Sequence, residues 1–318
     1  MDKKINILYT FDTRFWRLAA VSIYSLLKNK KPDSAHTIYC MVAPHTRGKR
    51  QIQKIIQRFP NTNLVWRAIK KQENPFRNHD FSRWSPVIFY RLFAGKIFPN
   101  INKLLYLDSD TLIYDDVSEL YNTDISKHTL AAVPDMAPRE DPNNPNGKYV
   151  SNFAKEHLKN GTYFNSGVLL INTKKQTESI ALLTQTKVKL KYPDQDILNV
   201  ALQTQIKPLD LKYNTAPGAP YIPKHFSKKQ ATDATKHPII HHFYVAKPYH
   251  YQYIPRDTYS AFYKAATAIG MHPDDFLKHE VKHLRRRNKA ANQPSKTLSP
   301  LRVHNDKITF FGITIIRI

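Results

Sequence analysis

Lys103-Leu104-Leu105-Tyr106-Leu107-Asp108-Ser109-Asp110-Thr111 is an apolar run that ends abruptly in two carboxylates one residue apart. Leu104 to Leu107 read as a buried strand, so Asp108 and Asp110 are expected to emerge together at its carboxyl end, where open α/β sheets place their ligands. Two acids so close repel each other, and a divalent cation relieves that repulsion. Hard oxygen ligands with open positions suit Mn²⁺ or Mg²⁺ carrying substrate phosphates. An Asp-x-Asp is short, however, and taken alone the same residues also fit a strand entering a polar turn. Their meaning depends on the company they keep.

On the amino-terminal side, strand-like and helix-like segments alternate. Ile5 to Thr10 is a short apolar strand, Trp16 to Leu27 carries Leu18, Val21, Ser22, Ser25 and Leu26 at helical spacing, and His36 to Val42 is again strand-like. Gln51 to Phe59 aligns Ile52, Ile55, Ile56 and Phe59 on one helical face, Asn63 to Ile69 reads as a strand, and Pro86 to Ala94 as a helix. Such alternation predicts a largely parallel sheet. On the carboxyl-terminal side, Pro134 to Gly147 holds Pro134, Pro138, Pro142 and Pro145 among Asn and Asp, which predicts a long loop of the kind used as a lid or recognition element. Gly161 to Asn172 returns to apolar strand with Asn165-Ser166-Gly167 inside it. Asp194-Gln195-Asp196 then opens a helix-like stretch, Ile197 to Leu202, and Ala216 to Pro238 is a Pro-rich polar connector.

At 318 residues, 41% hydrophobic and 12% aromatic, the chain is long and apolar enough to bury a substantial core. With 49 Lys plus Arg against 25 Asp plus Glu, its net charge of +24 favours anionic partners: nucleotides, phosphorylated glycans, nucleic acid or an acidic membrane face. The single cysteine, Cys40, excludes an intrachain disulfide and a thiolate metal cluster, and fits a reducing compartment. The apolar stretch after Met1-Asp2-Lys3-Lys4 is too short for a signal h-region, and no segment approaches the roughly 20 apolar residues of a transmembrane helix. A cytoplasmic location is expected.

Several motifs together resemble glycosyltransferase family 8, in particular its bacterial lipopolysaccharide galactosyl- and glucosyltransferases and, more distantly, glycogenin. The resemblance runs from about Ile5 to Tyr249. It is carried by Leu8-Tyr9-Thr10-Phe11-Asp12, Tyr90-Arg91-Leu92, Leu104 to Asp110, Phe164-Asn165-Ser166-Gly167-Val168, Asp194 to Asn199, and His241 to Pro248. It implies a GT-A type fold, with a Rossmann-like, mostly parallel central sheet flanked by helices. It also implies a catalytic domain over residues 1–250; beyond it the resemblance fades, and 251–318 reads as a helical, basic, partly amphipathic extension.

The activity implied is transfer of glucose or galactose from a UDP-sugar to a hydroxyl of a glycan acceptor, with retention at the anomeric carbon. Asp108 and Asp110 would ligate Mn²⁺, with Mg²⁺ as the alternative, and the cation would bridge the donor diphosphate as Lewis acid and template. Lys247 matches a lysine that contacts the diphosphate. Thr10 and Asp12 match positions around the uridine, Phe15 an aromatic that stacks on the uracil, and Ser109 lies between the two acids on the nucleotide side. Arg91, Asn165, Asp194 and Gln195 match positions surrounding the donor sugar. Retention fits a front-face route with Asp194 orienting the sugar, or a double displacement; the sequence leaves both open.

The third metal ligand is ambiguous in His241-His242-Phe243-Tyr244-Val245-Ala246-Lys247. The family pattern is His, two variable residues, Gly, two more, then Lys-Pro-Trp. Counting six residues back from Lys247 selects His241 and preserves the spacing, while the His-Phe-Tyr alignment selects His242 with one residue deleted. The spacing favours His241. Tyr244 stands where the pattern has Gly, and Tyr249 where it has Trp.

Beyond Tyr249 the chain turns more basic. Asp274 to Arg287 reads as a helix with acids first and Arg285-Arg286-Arg287 last, and with Phe276, Leu277, Val281 and Leu284 on one stripe. Ile308 to Ile318 adds an apolar segment too short to span a bilayer. Together they fit peripheral attachment to the anionic inner face of the cell membrane, where a lipid-linked or lipopolysaccharide-core acceptor would be presented. Two rival readings are a nucleic-acid-binding protein, which lacks any recognised motif beyond the basic charge, and a catalytically inactive scaffold of the same fold.

Overall fold

The computed structural model describes residues 4–79, 84–136, 145–186, 190–217, 226–249, 254–272 and 275–276, and three strands within 301–317. The chain divides into two units, Met1–Ala265 and Ala266–Ile318.

In the first unit, β1 (Lys4–Phe11), α1 (Trp16–Lys28), β2 (Ala35–Val42), α2 (Lys49–Ile56) and β3 (Thr62–Ala68) realise the alternating pattern of the first 70 residues. A 3₁₀ helix (Pro86–Phe93) and the short α3 (Ala94–Ile97) lead to β4 (Lys103–Leu107), which is followed at once by β5 (Thr111–Ile113) and α4 (Ser118–Tyr121). Then come β6 (Leu130–Pro134), α5 (Pro145–His157), β7 (Phe164–Asn172), α6 (Thr173–Glu178), α7 (Ile180–Gln185) and α8 (Pro193–Leu202). The unit closes with β8 (Ile206–Pro208), α9 (Lys228–Lys236), β9 (Ile240–His242) and α10 (Arg256–Ala268), whose last residues lie past the division.

Seven strands form the central sheet in the order β3-β2-β1-β4-β7-β6-β8. All neighbours pair parallel except β7, which runs antiparallel to both β4 and β6. The chain moves outward from β1 to β3 and then returns to β4 on the other side of β1. The carboxyl ends of β1 and β4 therefore flank a topological switch point, the crevice where such sheets bind ligands. The antiparallel β7 brings its first residues, not its last, to that same edge: Leu107 pairs with Val168, and the Asp108 N–H donates to the Gly167 carbonyl at 2.8 Å.

The core packs on the sheet much as the apolar runs require. Ile7, Leu8, Leu104 to Leu107 and Val168 to Ile171 are fully buried, so the inner strands are near-continuous hydrophobic stretches rather than alternating ones. Phe76, Phe89 and Phe93 cluster beneath Tyr106, with the Phe76 and Phe89 rings stacked at 5.0 Å.

The helix expected from Pro86 is of the 3₁₀ type over Pro86–Phe93, beginning with Ser85 at its N-cap and Pro86 at the first position, and α3 continues it. Three expectations need correction. The expected loop from Pro134 to Gly147 ends early, because α5 starts at Pro145, and residues 137–144 lie outside the description. The connector Ala216–Pro238 contains α9, nucleated by a capping box between Ser227 and Gln230. Finally, the extension is not helical throughout. The second unit holds a three-stranded antiparallel sheet, β10 (Leu301–His304), β11 (Lys307–Phe310) and β12 (Ile313–Arg317), built from segments rich in Ile, Val and Thr. The expected Asp274–Arg287 helix, apart from Asp275 and Phe276, lies outside the described residues. Among the described residues no helix is long and apolar enough to cross a membrane.

Candidate active site

Asp108, Ser109 and Asp110 leave β4 at the carboxyl edge, and β5 begins at the next residue, holding both acids in a short tight connection. β5 pairs antiparallel with β9, with Thr111 opposite His242 and Leu112 opposite His241. Successive residues of a strand face opposite ways, so only one of the two histidines can face the carboxylates. That one is His242. Its Nε2 lies 3.3 Å from Asp108 Oδ2 and 3.5 Å from Asp110 Oδ1. His241 turns to the other side, its Nδ1 3.1 Å from the Tyr114 hydroxyl, and is corrected from candidate ligand to packing residue. One ligand atom each from Asp108, Asp110 and His242 can be chosen so that all three lie within 4.8 Å of one another. Two carboxylates and an imidazole are a donor set that fits a divalent cation such as Mn²⁺.

Two cations and a hydroxyl compensate the acids. The Arg91 guanidinium, from the 3₁₀ helix, lies 2.9 Å from Asp108 Oδ1 and 3.3 Å from Asp194 Oδ2. It stacks over the Tyr106 ring at 4.5 Å and donates to the carbonyls of Ile88 and Ser166 at 3.0 and 2.9 Å. The Lys247 ammonium pairs with Asp110 Oδ2, and the Tyr106 hydroxyl donates to Asp108 Oδ1. Burial opposes ionisation of both acids, yet Arg91 and His242 hold Asp108 below the usual carboxylate range, and Lys247 and His242 do the same for Asp110. Burial alone would lower the His242 pKa; the two carboxylates reverse this and push it up to about 9. Asp194 goes the other way. Its burial and the neighbouring charge of Asp108 raise it against the pull of Arg91.

The other wall comes from β7 and the amino end of α8. The Ser166 N–H donates to Gln195 Oε1 at 2.9 Å, and its hydroxyl to Asp194 Oδ2 at 3.0 Å. Asn165 Oδ1 accepts from the Gly167 N–H at 2.9 Å, while its Nδ2 donates to Asp135 Oδ2 at 3.0 Å. Gln195 Nε2 reaches the same Asp135 oxygen at 3.3 Å. Asp196 belongs elsewhere, bound by the Tyr149 and Tyr163 hydroxyls and the N–H groups of Lys191 and Tyr192. It anchors α5 and the start of α8.

At the end of β1, Thr10 is buried with its hydroxyl 3.2 Å from that of Tyr106, and the Ser109 hydroxyl donates to the Thr10 carbonyl at 3.3 Å. Asp12 and Phe15 lie half-buried in the turn before α1, with Asp12 accepting from the Arg14 backbone and guanidinium and Arg14 resting over the Phe15 ring at 5.7 Å. The structure thus gathers Arg91, Asp108, Asp110, Asn165, Asp194, Gln195, His242 and Lys247 into one network and sets Thr10 beside it.

Sequence reasoning passed over Asp135, Ser166 and Asn214 as parts of this network. Asp135 had a usable signal: like Asp108, it follows directly on a buried strand, Leu130–Pro134. Asn214 had none, because it comes from an irregular segment brought in by β9.

The fold compares closely with solved structures. The galactosyltransferase LgtC, solved in complex with donor and acceptor sugar analogues, superposes with a TM-score of 0.68 at 21% identity, covering 86% of this chain and 100% of that chain. The bifunctional glycosyltransferase WbbM superposes with a TM-score of 0.64 at 18% identity, covering 84% of this chain and 50% of that one. The fold is therefore of the GT-A type, a mostly parallel sheet flanked by helices.

The sequence goes one step further. The profile of glycosyl transferase family 8 matches residues 6–252, and the chain belongs to that family. Among its relatives is a lipopolysaccharide 1,2-glucosyltransferase of Escherichia coli (strain K12), 32% identical over 178 residues that make up 52% of this chain and 50% of the relative. A second Escherichia coli lipopolysaccharide 1,2-glucosyltransferase is 29% identical over 77% of this chain and 73% of its own length. General stress protein A of Bacillus subtilis (strain 168) is 30% identical over 76% and 86%. The matched region thus spans only half the length of the strain K12 enzyme.

Proposed function

We propose that the chain is a retaining, metal-dependent hexosyltransferase that moves glucose or galactose from a UDP-sugar to a hydroxyl of a surface glycan, with the lipopolysaccharide core as the favoured acceptor. The single observation that carries this reading is the convergence of Asp108, Asp110 and His242 at the β1/β4 switch point. The names of the Escherichia coli relatives support the acceptor class.

Asp108, Asp110 and His242 would hold Mn²⁺, or Mg²⁺ in its place, which would supply Lewis-acid stabilisation of the departing diphosphate. Lys247, now paired with Asp110, is placed to transfer its charge to the diphosphate once the acids are neutralised otherwise. Thr10, Asp12, Phe15 and Ser109 form the nucleoside side of the crevice. Arg91 holds Asp108 and Asp194 at fixed positions on either side of its guanidinium. Asn165, Asp194 and Gln195 bind the hexose hydroxyls, with Asp194 orienting the ring. In the front-face route the bond from the anomeric carbon to the diphosphate oxygen breaks as the bond to the acceptor oxygen forms on the same face, and the acceptor proton passes to the leaving phosphate oxygen.

Residues 1–250 form the catalytic domain in this reading. The basic remainder attaches the enzyme to the anionic inner face of the cell membrane, at the cytoplasmic side, where a lipid-linked acceptor is met. The deciding experiment incubates the protein with UDP-glucose and UDP-galactose and follows UDP release with Mn²⁺ and with EDTA. Metal-dependent release with one donor upholds the reading. No release and no donor binding would support an inactive scaffold, and tight salt-sensitive RNA or DNA binding would support a nucleic-acid partner.

A further inference from the structure

The amide of Asn214 sits behind His242, away from the carboxylates, and is 1% exposed. Its backbone N–H donates to the Leu211 carbonyl at 3.0 Å, and the next residue is stitched to β9 from both sides: Thr215 N–H to the Ile240 carbonyl at 3.0 Å, and His242 N–H to the Thr215 carbonyl at 2.9 Å. The side chain therefore meets the imidazole in one fixed place. Its Oδ1 is 3.0 Å from His242 Nδ1 and its Nδ2 donates to Asn165 Oδ1 at 2.9 Å.

Donor and acceptor roles along this chain of bonds follow from its ends. The Gly167 N–H can only donate, so the Asn165 atom it meets is the carbonyl oxygen. The Asn165 amide nitrogen then faces the Asp135 carboxylate, which accepts. An oxygen on Asn165 facing Asn214 demands a donor there, so the Asn214 amide nitrogen points to Asn165 and its oxygen points to His242. An oxygen facing Nδ1 requires the imidazole proton on Nδ1. The neutral ring then carries its lone pair on Nε2, the atom directed between Asp108 and Asp110.

We propose that Asn214 is a positioning residue that fixes the His242 tautomer and aims its Nε2 lone pair at a cation between the two acids. The inference rests on the metal-dependent reading above. It also joins the two halves of the site: Gln195 and Asn165 share Asp135, and Asn165 shares Asn214 with His242. A metal-bound histidine whose second nitrogen lacks its partner loses orientation and basicity.

The test compares the full chain with Asn214→Ala and Asn214→Asp, each checked for folding by thermal melting. Mn²⁺ uptake without donor is read by electron paramagnetic resonance, and the His242 tautomer by ¹⁵N NMR of the metal-free protein at alkaline pH, with the ring neutral. Asn214→Ala should weaken Mn²⁺ binding about 10–100-fold and let the ring populate both tautomers. Asn214→Asp keeps an acceptor against Nδ1–H but loses the donor to Asn165 Oδ1, so it should hold the proton on Nδ1 and recover part of the affinity that Asn214→Ala loses. An Asn214→Ala protein that binds Mn²⁺ like the wild type and keeps its proton on Nδ1 overturns the proposal. If the wild type takes up no Mn²⁺, the metal reading fails, and the tautomer alone decides: mixed tautomers in Asn214→Ala uphold the role of Asn214, and an unchanged ring overturns it.

Discussion

Gly167 makes room for the imidazole of His242. A methyl group built on Gly167 would fall 2.9 Å from Nε2 and nearer still to Cε1 and Nδ1. The glycine of Asn165-Ser166-Gly167 is needed for what stands across from it, the His242 ring, and not for an unusual backbone angle.

Gly167→Ala should accordingly push His242 out of line with Asp108 and Asp110. Neither side yields easily, since the Gly167 carbonyl binds the Asp108 N–H and the ring is held by Asn214. The expected result is a stability loss of about 1–3 kcal/mol from overpacking and Mn²⁺ affinity at least about 10-fold weaker. Adding His242→Ala should restore stability without restoring Mn²⁺ binding. Chemical denaturation and calorimetric metal titration of both variants measure this, and additive stability losses would refute the steric coupling.

His241 and His242 should respond in opposite ways to the same change. His242→Ala removes a proposed ligand and should lower Mn²⁺ affinity about 10–100-fold. His241→Ala should leave that affinity within about threefold of the wild type, while costing about 0.5–1.5 kcal/mol of stability because the Tyr114 hydroxyl loses one hydrogen-bond partner and keeps Thr258. Equal metal affinities in the two variants would return His241 to the list of ligands.

That pair also shows where sequence reading stops. Asp108 and Asp110 were legible because an apolar run ending in acids locates a strand end without knowledge of its neighbours. The choice of histidine depends on strand parity, which is set by Thr111 pairing with His242, and no count back from Lys247 contains that register. The antiparallel course of β7 was equally hidden, since its fully buried sequence resembles that of its parallel neighbours. It is this reversal that carries Asn165, Ser166 and Gly167 to the site. Local turn chemistry gave α9 its start at Ser227, yet a Pro-rich surrounding masked the helix. Strand order and register are properties of the whole sheet; the motif resemblance supplied Asn165 without them, whereas Ser166 and Asn214, which depend on them, were missed.

His36 gives a pH dependence that is separate from the metal site. Burial, reinforced by Lys30 and only partly offset by Asp116 and the Ser34 backbone, lowers its pKa to about 4, and its Nε2 is buried with no hydrogen-bond partner. The folded protein thus keeps this ring neutral while the unfolded chain binds a proton below about pH 6.5. Stability from this group is intact above that pH and is lost as pH falls through the window down to about 4, by about 3 kcal/mol in all. His36→Leu should remove this share, so the wild-type-minus-variant difference in urea stability should shrink between pH 7 and pH 4. A difference that is flat with pH would show that His36 does not titrate in this way.

The carboxyl-terminal segment after Gly270 carries ten Lys and Arg against four Asp and Glu, and ends in strands rich in Ile, Val and Thr. A basic segment near an anionic bilayer gains roughly 1 kcal/mol per Lys or Arg close to the surface, an attraction that salt screens within about a nanometre. The residues of the candidate site all precede Gly270, in the unit that ends at Ala265. A chain truncated after Gly270 should therefore fail to co-sediment with phosphatidylglycerol-containing vesicles that retain the full chain, and the full chain should itself be released at about 0.5 M salt. UDP-sugar hydrolysis by the truncated chain should stay within about twofold of the full chain, since among the described residues the charges that hold Asp108 and Asp110 are Arg91, His242 and Lys247, which it keeps. Unchanged vesicle binding after truncation would assign the attachment to the first unit, whose own excess of Lys and Arg would then have to supply it.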